Sequence, residues 1–196
     1  MKKNILILFL LLLLSACVGS SSGGVFGTGV SVALDPRTLG TQIDDSIMQK
    51  SISAKILAKD KKYLLAVKTK VLDGRIFVTG KVDSPEEKLK ITKMASETKG
   101  ARSVKNNISI KQKFSFKNTA MDILITSQLR TALILNKNVI AANFNIDTIN
   151  QKTYVFGIAH TDDEKKEIIQ EAKQIVDLKQ LVTSILLVSD LSIQKE

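Results

Sequence analysis

A catalytic centre needs polar groups that converge, and these 196 residues offer few. His160 is the single histidine and Cys17 the single cysteine. A general base must reach the proton it removes. His160 stands between a strand-like run, Thr153 to Ala159, and the helix-capping type Thr161, which puts it in a solvent-facing loop. One histidine with scattered carboxylates makes no zinc constellation. Asp162-Asp163-Glu164 has the look of a cation cluster, but just after Thr161 these acids suit the positive end of a helix dipole. No glycine-rich phosphate loop is present. The expectation is no catalytic residues, no metal and no cofactor.

Cys17 carries a different chemistry. Lys2-Lys3 precede an apolar run from Ile5 to Leu14 that is short for a bilayer span, and Leu14-Ser15-Ala16 close it before the cysteine. This resembles a bacterial lipobox, with a plain secretory signal or a transmembrane helix as the alternatives. In the lipobox reading residues 1–16 are removed and Cys17 becomes a lipidated N-terminus. At about 0.8 kcal/mol per buried CH₂, two or more acyl chains make a stable anchor. A lone thiol forms no disulfide framework, even in an exported chain. Val18 stands where inner-membrane lipoproteins of Gram-negative bacteria carry aspartate, which implies the outer membrane.

The elements follow from an internal repeat. Residues 17–40 are rich in Gly and Ser and are expected to be a tether. Beyond them, Asp73-Gly74 marks a hairpin turn, Arg75 to Val82 a strand, and Ser84-Pro85-Glu86-Glu87 a helix start. At an offset of 77, and without gaps, Asp45 meets Asp122, Ile52 meets Leu129, Val78 meets Val155, Ile91 meets Ile168 and Ile108 meets Ile185. Two copies of one small domain are therefore expected, at 41–117 and 118–196. Each is α+β with the order αββαβ, a three-stranded mixed sheet covered on one face by two helices.

In the first copy, Asp44 or Asp45 is expected to cap a helix reaching Ala58, followed by strands Tyr63 to Leu72 and Arg75 to Val82. A helix from Pro85 to Thr98, stopped by Gly100, and a strand from Ser103 to Lys111 complete it. In the second, helices Met121 to Leu135 and Asp162 to Val176 accompany strands Asn143 to Thr148, Thr153 to Ala159 and Leu181 to Val188. Gly74, Gly80, Gly100 and Gly157 are structural glycines. Domains this small are marginal alone, so the copies are expected to pack on each other.

Asp35-Pro36-Arg37-x-x-Gly40-x-Gln42-x-Asp44-Asp45, placed between a lipidated cysteine and a tandem αββαβ repeat, resembles the dual BON-domain outer-membrane lipoproteins. The resemblance spans essentially the whole chain. It implies a non-enzymatic lipoprotein facing the periplasm that binds anionic phospholipid, phosphatidylglycerol or cardiolipin, and supports outer-membrane integrity. It also places lipid contact at the start of the second copy's first helix, where relatives present a large aromatic and this chain has Ala120 and Met121.

The net charge of +10 is uneven. Residues 41–117 hold 18 Lys and Arg against 8 Asp and Glu; residues 118–196 hold 8 against 10. Lys59, Lys61 and Lys62 form an electrostatic membrane patch, or merely solvate that face. The helix ending at Leu135 is apolar beyond its core stripe, so either the sister copy covers it or it docks on a membrane. In the second case Met121, Ile123, Leu124, Arg130, Ile134 and Lys137 are the phospholipid-binding residues. Nucleic acid, which favours the same charges, is not met by an exported lipoprotein. The alternative function is a protein-interaction module that docks an envelope assembly or a cell-wall-processing partner.

Overall fold

The computed structural model describes residues 34–113 and 115–191. The lipobox, with Leu14, Ser15, Ala16 and Cys17, and the tether up to residue 33 lie outside the described residues. From Asp35 onward the described residues belong to one compact unit.

The first αββαβ repeat runs α1 (Leu39–Lys59), a single turn α2 (Tyr63–Ala66), β1 (Val67–Leu72), β2 (Arg75–Val82), α3 (Pro85–Ser96) and β3 (Ser103–Ile110). The second runs α4 (Phe116–Leu135), a 3₁₀ turn (Ala141–Asn143), β4 (Phe144–Ile149), β5 (Lys152–Ala159), α5 (Asp162–Gln174) and β6 (Gln180–Leu187). In each sheet the middle strand pairs antiparallel with the strand before it and parallel with the strand after the helix, as β1-β2-β3 and β4-β5-β6. The parallel pair needs a crossover, and α3 and α5 supply it.

Alternation along the strands decides what is buried. Val71, Ile76, Val78 and Ile108 face Met48, Ile52, Ile56, Ile91 and Ala95 of the helices. Their counterparts Val155 and Ile185 face Leu129, Leu133, Ile168 and Ala172. The other faces of the two sheets meet each other. Leu72 and Phe77 pack with Ile149, Tyr154, Phe156 and Ile158 in a third core, and the Phe77 and Phe156 rings stack with centroids 5.0 Å apart. The result is four layers, helices outside and two sheets within.

Several sequence expectations shift. The helices begin earlier than expected: Thr38 caps α1 and Ser115 caps α4, each accepting a backbone N–H with its hydroxyl. Neither Asp44 nor Asp45 is the cap. The stretch Tyr63 to Leu72 is strand only from Val67, because Tyr63 to Ala66 closes one helical turn. The second helix of the first repeat ends at Ser96, and Gly100 (φ +87°) serves the following turn rather than the helix end.

Two glycines answer a close approach of strands. A Cβ on Gly80, where φ is +141°, would stand 2.0 Å from the Ala66 carbonyl oxygen, and one on Gly157 would stand 2.2 Å from Phe144 Cδ1. The hairpin turns are alike in backbone: Asp73 and Gly74 have φ of 52° and 70°, Asn150 and Gln151 of 54° and 62°. Positive φ at both positions is the turn that suits strand twist.

Candidate functional site

A buried aspartate at each hairpin sets how its helix lies. Asp45 Oδ2 and Oδ1 accept from Asp73 N at 2.6 Å and Gly74 N at 2.8 Å. Asp122, its repeat counterpart, accepts from Asn150 N at 2.8 Å and Gln151 N at 2.7 Å. The counter-cations differ. Asp45 pairs with Arg37, which Asp35 grips through Nε at 2.9 Å and Nη2 at 2.5 Å. Asp122 is approached from the other repeat, by Lys81 Nζ at 3.7 Å. The Asp35-Pro36-Arg37 motif is thus a brace for the first turn, and the second borrows its cation across the sheet interface.

With Asp122 fixed inward, the rotation of α4 follows. Thr126 donates to Thr148 Oγ1 at 2.8 Å, and Asn136 at the far end donates to Glu167 and Glu171 of α5 at 3.1 and 2.8 Å. Ile125, Leu129 and Leu133 go to the core. Spacings of seven and eleven residues then place Phe116, Ile123 and Ile134 along one outward line, between 63% and 78% exposed. Leu124 and Leu135 form an exposed second line beside it. Arg130 lies next to Ile123 and Ile134, exposed, and Lys117 and Lys137 are exposed at the two ends. Asp122, the helix's one acid, is buried.

Of the expected lipid-contacting residues, Ile123, Arg130 and Ile134 share this face, Leu124 flanks it, and Lys137 follows the helix end. Met121 does not lie on that outward line and is half-buried. Phe116 was missed, because a helix begun at Met121 leaves it in a loop. The Ser115-Phe116 pair, a capping hydroxyl followed by an aromatic, was the available signal. The sister repeat does not cover this face; it is occupied with the sheets. A shallow depression lined by Ser127, Gln128, Thr131, Ala132 and Leu135 follows the same helix.

The basic patch is partly consumed by the fold. Lys62 donates to Asp83 at 3.0 Å and to Glu87, with Asp60 at 3.7 Å. Glu87 first, and Asp83 after it, raise the lysine above its ordinary range. Lys62 therefore belongs to the start of α3, where Glu87 also accepts from Asp83 N at 2.9 Å. Lys59 and Lys61 are exposed. His160, whose backbone N donates to Glu164 at 2.7 Å, is exposed at the equivalent helix start. Among the described residues no cluster of His, Cys, Asp and Glu could hold a metal, and no helix is long and apolar enough to cross a membrane.

Lys62, ahead of its other partners, holds Glu87 below its ordinary value of 4.5. A carboxylate depressed in the folded state stabilises fully above its unfolded pKa and loses that contribution as pH falls through the folded one. Glu87→Gln is therefore expected to lower the urea midpoint near neutral pH and to flatten its decline over the range from neutral pH to below pH 4.5. Paired denaturation curves for the variant and the parent at the two ends of that range check it.

Residues 44–112 match the BON domain family profile. Over that stretch the chain is similar to BON domains. The second repeat follows the BON order element for element at the 77-residue offset. Across 93% of this chain and 94% of the relative, 25% of residues are identical to the outer membrane lipoprotein DolP of Haemophilus influenzae. An uncharacterized protein of the gshII 5' region of Anaplasma centrale is 28% identical, covering 60% of this chain and 79% of its own. A 21 kDa hemolysin of Actinobacillus pleuropneumoniae is 23% identical, over 63% of this chain and 64% of its own.

Proposed function

We propose that this protein is a non-enzymatic lipoprotein, anchored through Cys17 in the outer membrane and facing the periplasm, which binds anionic phospholipid and supports outer-membrane integrity. In this reading residues 1–16 are the signal peptide, 17–40 the lipidated tether, 41–117 the first BON domain and 118–196 the second. The observation that carries it is the outer face of α4. Phe116, Ile123 and Ile134 stand in one exposed line, bordered by Lys117 and Arg130 and by no exposed acid on that helix. An apolar stripe with a cationic border is the composition of a helix lying in the headgroup region. Each lysine or arginine close to an anionic surface adds about 1 kcal/mol. The similarity along the whole length to a relative named as an outer membrane lipoprotein supports the location.

Flotation of the chain from Gly19 to Glu196 tests it, with vesicles of phosphatidylcholine alone and with added phosphatidylglycerol or cardiolipin. Binding is expected only with the anionic lipids, weaker in high salt because the Debye length shortens, and reduced in Ile123→Asp/Ile134→Asp. Absence of flotation from every mixture would overturn the lipid reading and favour a protein partner.

A further inference from the structure

We infer that the outer face of α1 is a second docking face for an anionic phospholipid surface, directed away from that of α4. This rests on the lipid reading of α4, but its own ground is the internal repeat. At the offset of 77, Leu39 answers to Phe116, Ile47 to Leu124 and Leu57 to Ile134, and all six are exposed. Apolar matches in the cores follow from folding. Exposed ones serve nothing in the interior and mark a contact surface.

In α1 the row Leu39, Ile43, Ile47 repeats every fourth residue, and each is between 58% and 64% exposed. With Leu57 the face runs over roughly 27 Å at 1.5 Å per residue. Lys50, Lys55 and Lys59 are exposed along the same helix, where Asp44 is the exposed acid and Asp45 is turned in to the hairpin. Charge selects the occupant. Residues 41–117 carry ten more cations than acids, so two copies meeting through α1 would set lysine against lysine, whereas phosphate headgroups complement them. Because the sheets join through their inner faces, the two helical layers lie on opposite sides of the unit. A flat bilayer meets one face at a time, and the two contributions add.

The test uses the full chain carried in phosphatidylcholine vesicles and measures capture of a second, labelled population made of equal parts phosphatidylcholine and phosphatidylglycerol. Ile43→Asp/Ile47→Asp is expected to lose roughly half of the capture, Ile123→Asp/Ile134→Asp the other half, and the fourfold variant all of it. All four positions are exposed, so the core is untouched, and circular dichroism of each variant checks this. Lys50→Glu/Lys55→Glu, which keeps the apolar row, is expected to lose the same share as the α1 pair; full capture there would overturn the lipid assignment. Parent-level capture by the α1 pair, with none by the α4 pair, would overturn this inference and leave the α4 reading standing. The reverse pattern would overturn the α4 reading alone, and no capture by the parent would overturn both.

Discussion

Phe156→Ala is expected to destabilise the protein by about 3–5 kcal/mol, the usual range for truncating a buried aromatic. Its ring is almost wholly buried, stacked on Phe77 at 5.0 Å and near Tyr154 at 6.4 Å. The loss falls on the layer that joins the two sheets, because Phe156 points away from the α4 and α5 core into the third one. Polar contacts around it depend on the same approach: Thr79 donates to Asp147 at 2.9 Å, and Lys68 reaches Asp147 at 2.6 Å. Urea unfolding of parent, Phe77→Ala, Phe156→Ala and the double variant checks this. The double variant should cost less than the sum of the singles, since the two rings share one contact. Strict additivity would mean that the rings do not bear on each other.

Asp45→Ala should also be strongly destabilising, because it removes one of the two carboxylates that pair with the Arg37 guanidinium, leaving it Asp35 alone. It also leaves Asp73 N and Gly74 N without their acceptor, at about 1–3 kcal/mol for each donor that stays buried. Asp45→Asn keeps one acceptor oxygen and should fall between parent and alanine. Asp122→Ala removes the same pair of acceptors in the second repeat, but its cation is Lys81 at 3.7 Å with a third of its side chain exposed. That ion can rehydrate, so the cost should be smaller than at Asp45. Thermal midpoints for the three variants rank these expectations, and a larger loss at Asp122 than at Asp45 would contradict the assigned roles of Arg37 and Lys81.

Much of this architecture was readable because the repeat holds one offset. Ile52 and Leu129, Val78 and Val155, Ile91 and Ile168 occupy the same core positions in their own domains, and the Ser84 cap and Asp73-Gly74 turn obey local rules. What escaped were residues whose types suit two roles. Aspartate is a good helix cap and also a good acceptor for a turn, and only the tertiary position of Asp73-Gly74 decides that Asp45 is the second. Tyr63 to Ala66 has no period of its own, so one helical turn passed for strand. Lys62 sits in a lysine-rich loop, and its ties to Asp83 and Glu87 cross more than twenty residues of chain.

The sheet interface did leave a trace. Tyr154, Phe156 and Ile158 alternate with Val155 and Ala159, a strand apolar on both faces, which is the pattern of burial from two sides. The first repeat blurs it, since β2 offers Phe77, Thr79 and Lys81 to the same layer. The outer face of α4 was legible as excess apolar surface but not as one face, because its first residue, Phe116, lay before the expected start.

The most direct measurement is the environment of residue 134 on a membrane. In a Cys17→Ala background, Ile134→Cys is labelled with the fluorophore NBD, with Ser96→Cys at the end of α3 as the comparison. On vesicles containing phosphatidylglycerol the label at 134 should shift to the blue and resist quenching by aqueous iodide, while the label at 96 stays wet. A label at 134 that remains in water while the protein is bound would contradict the placement of the lipid contact on α4.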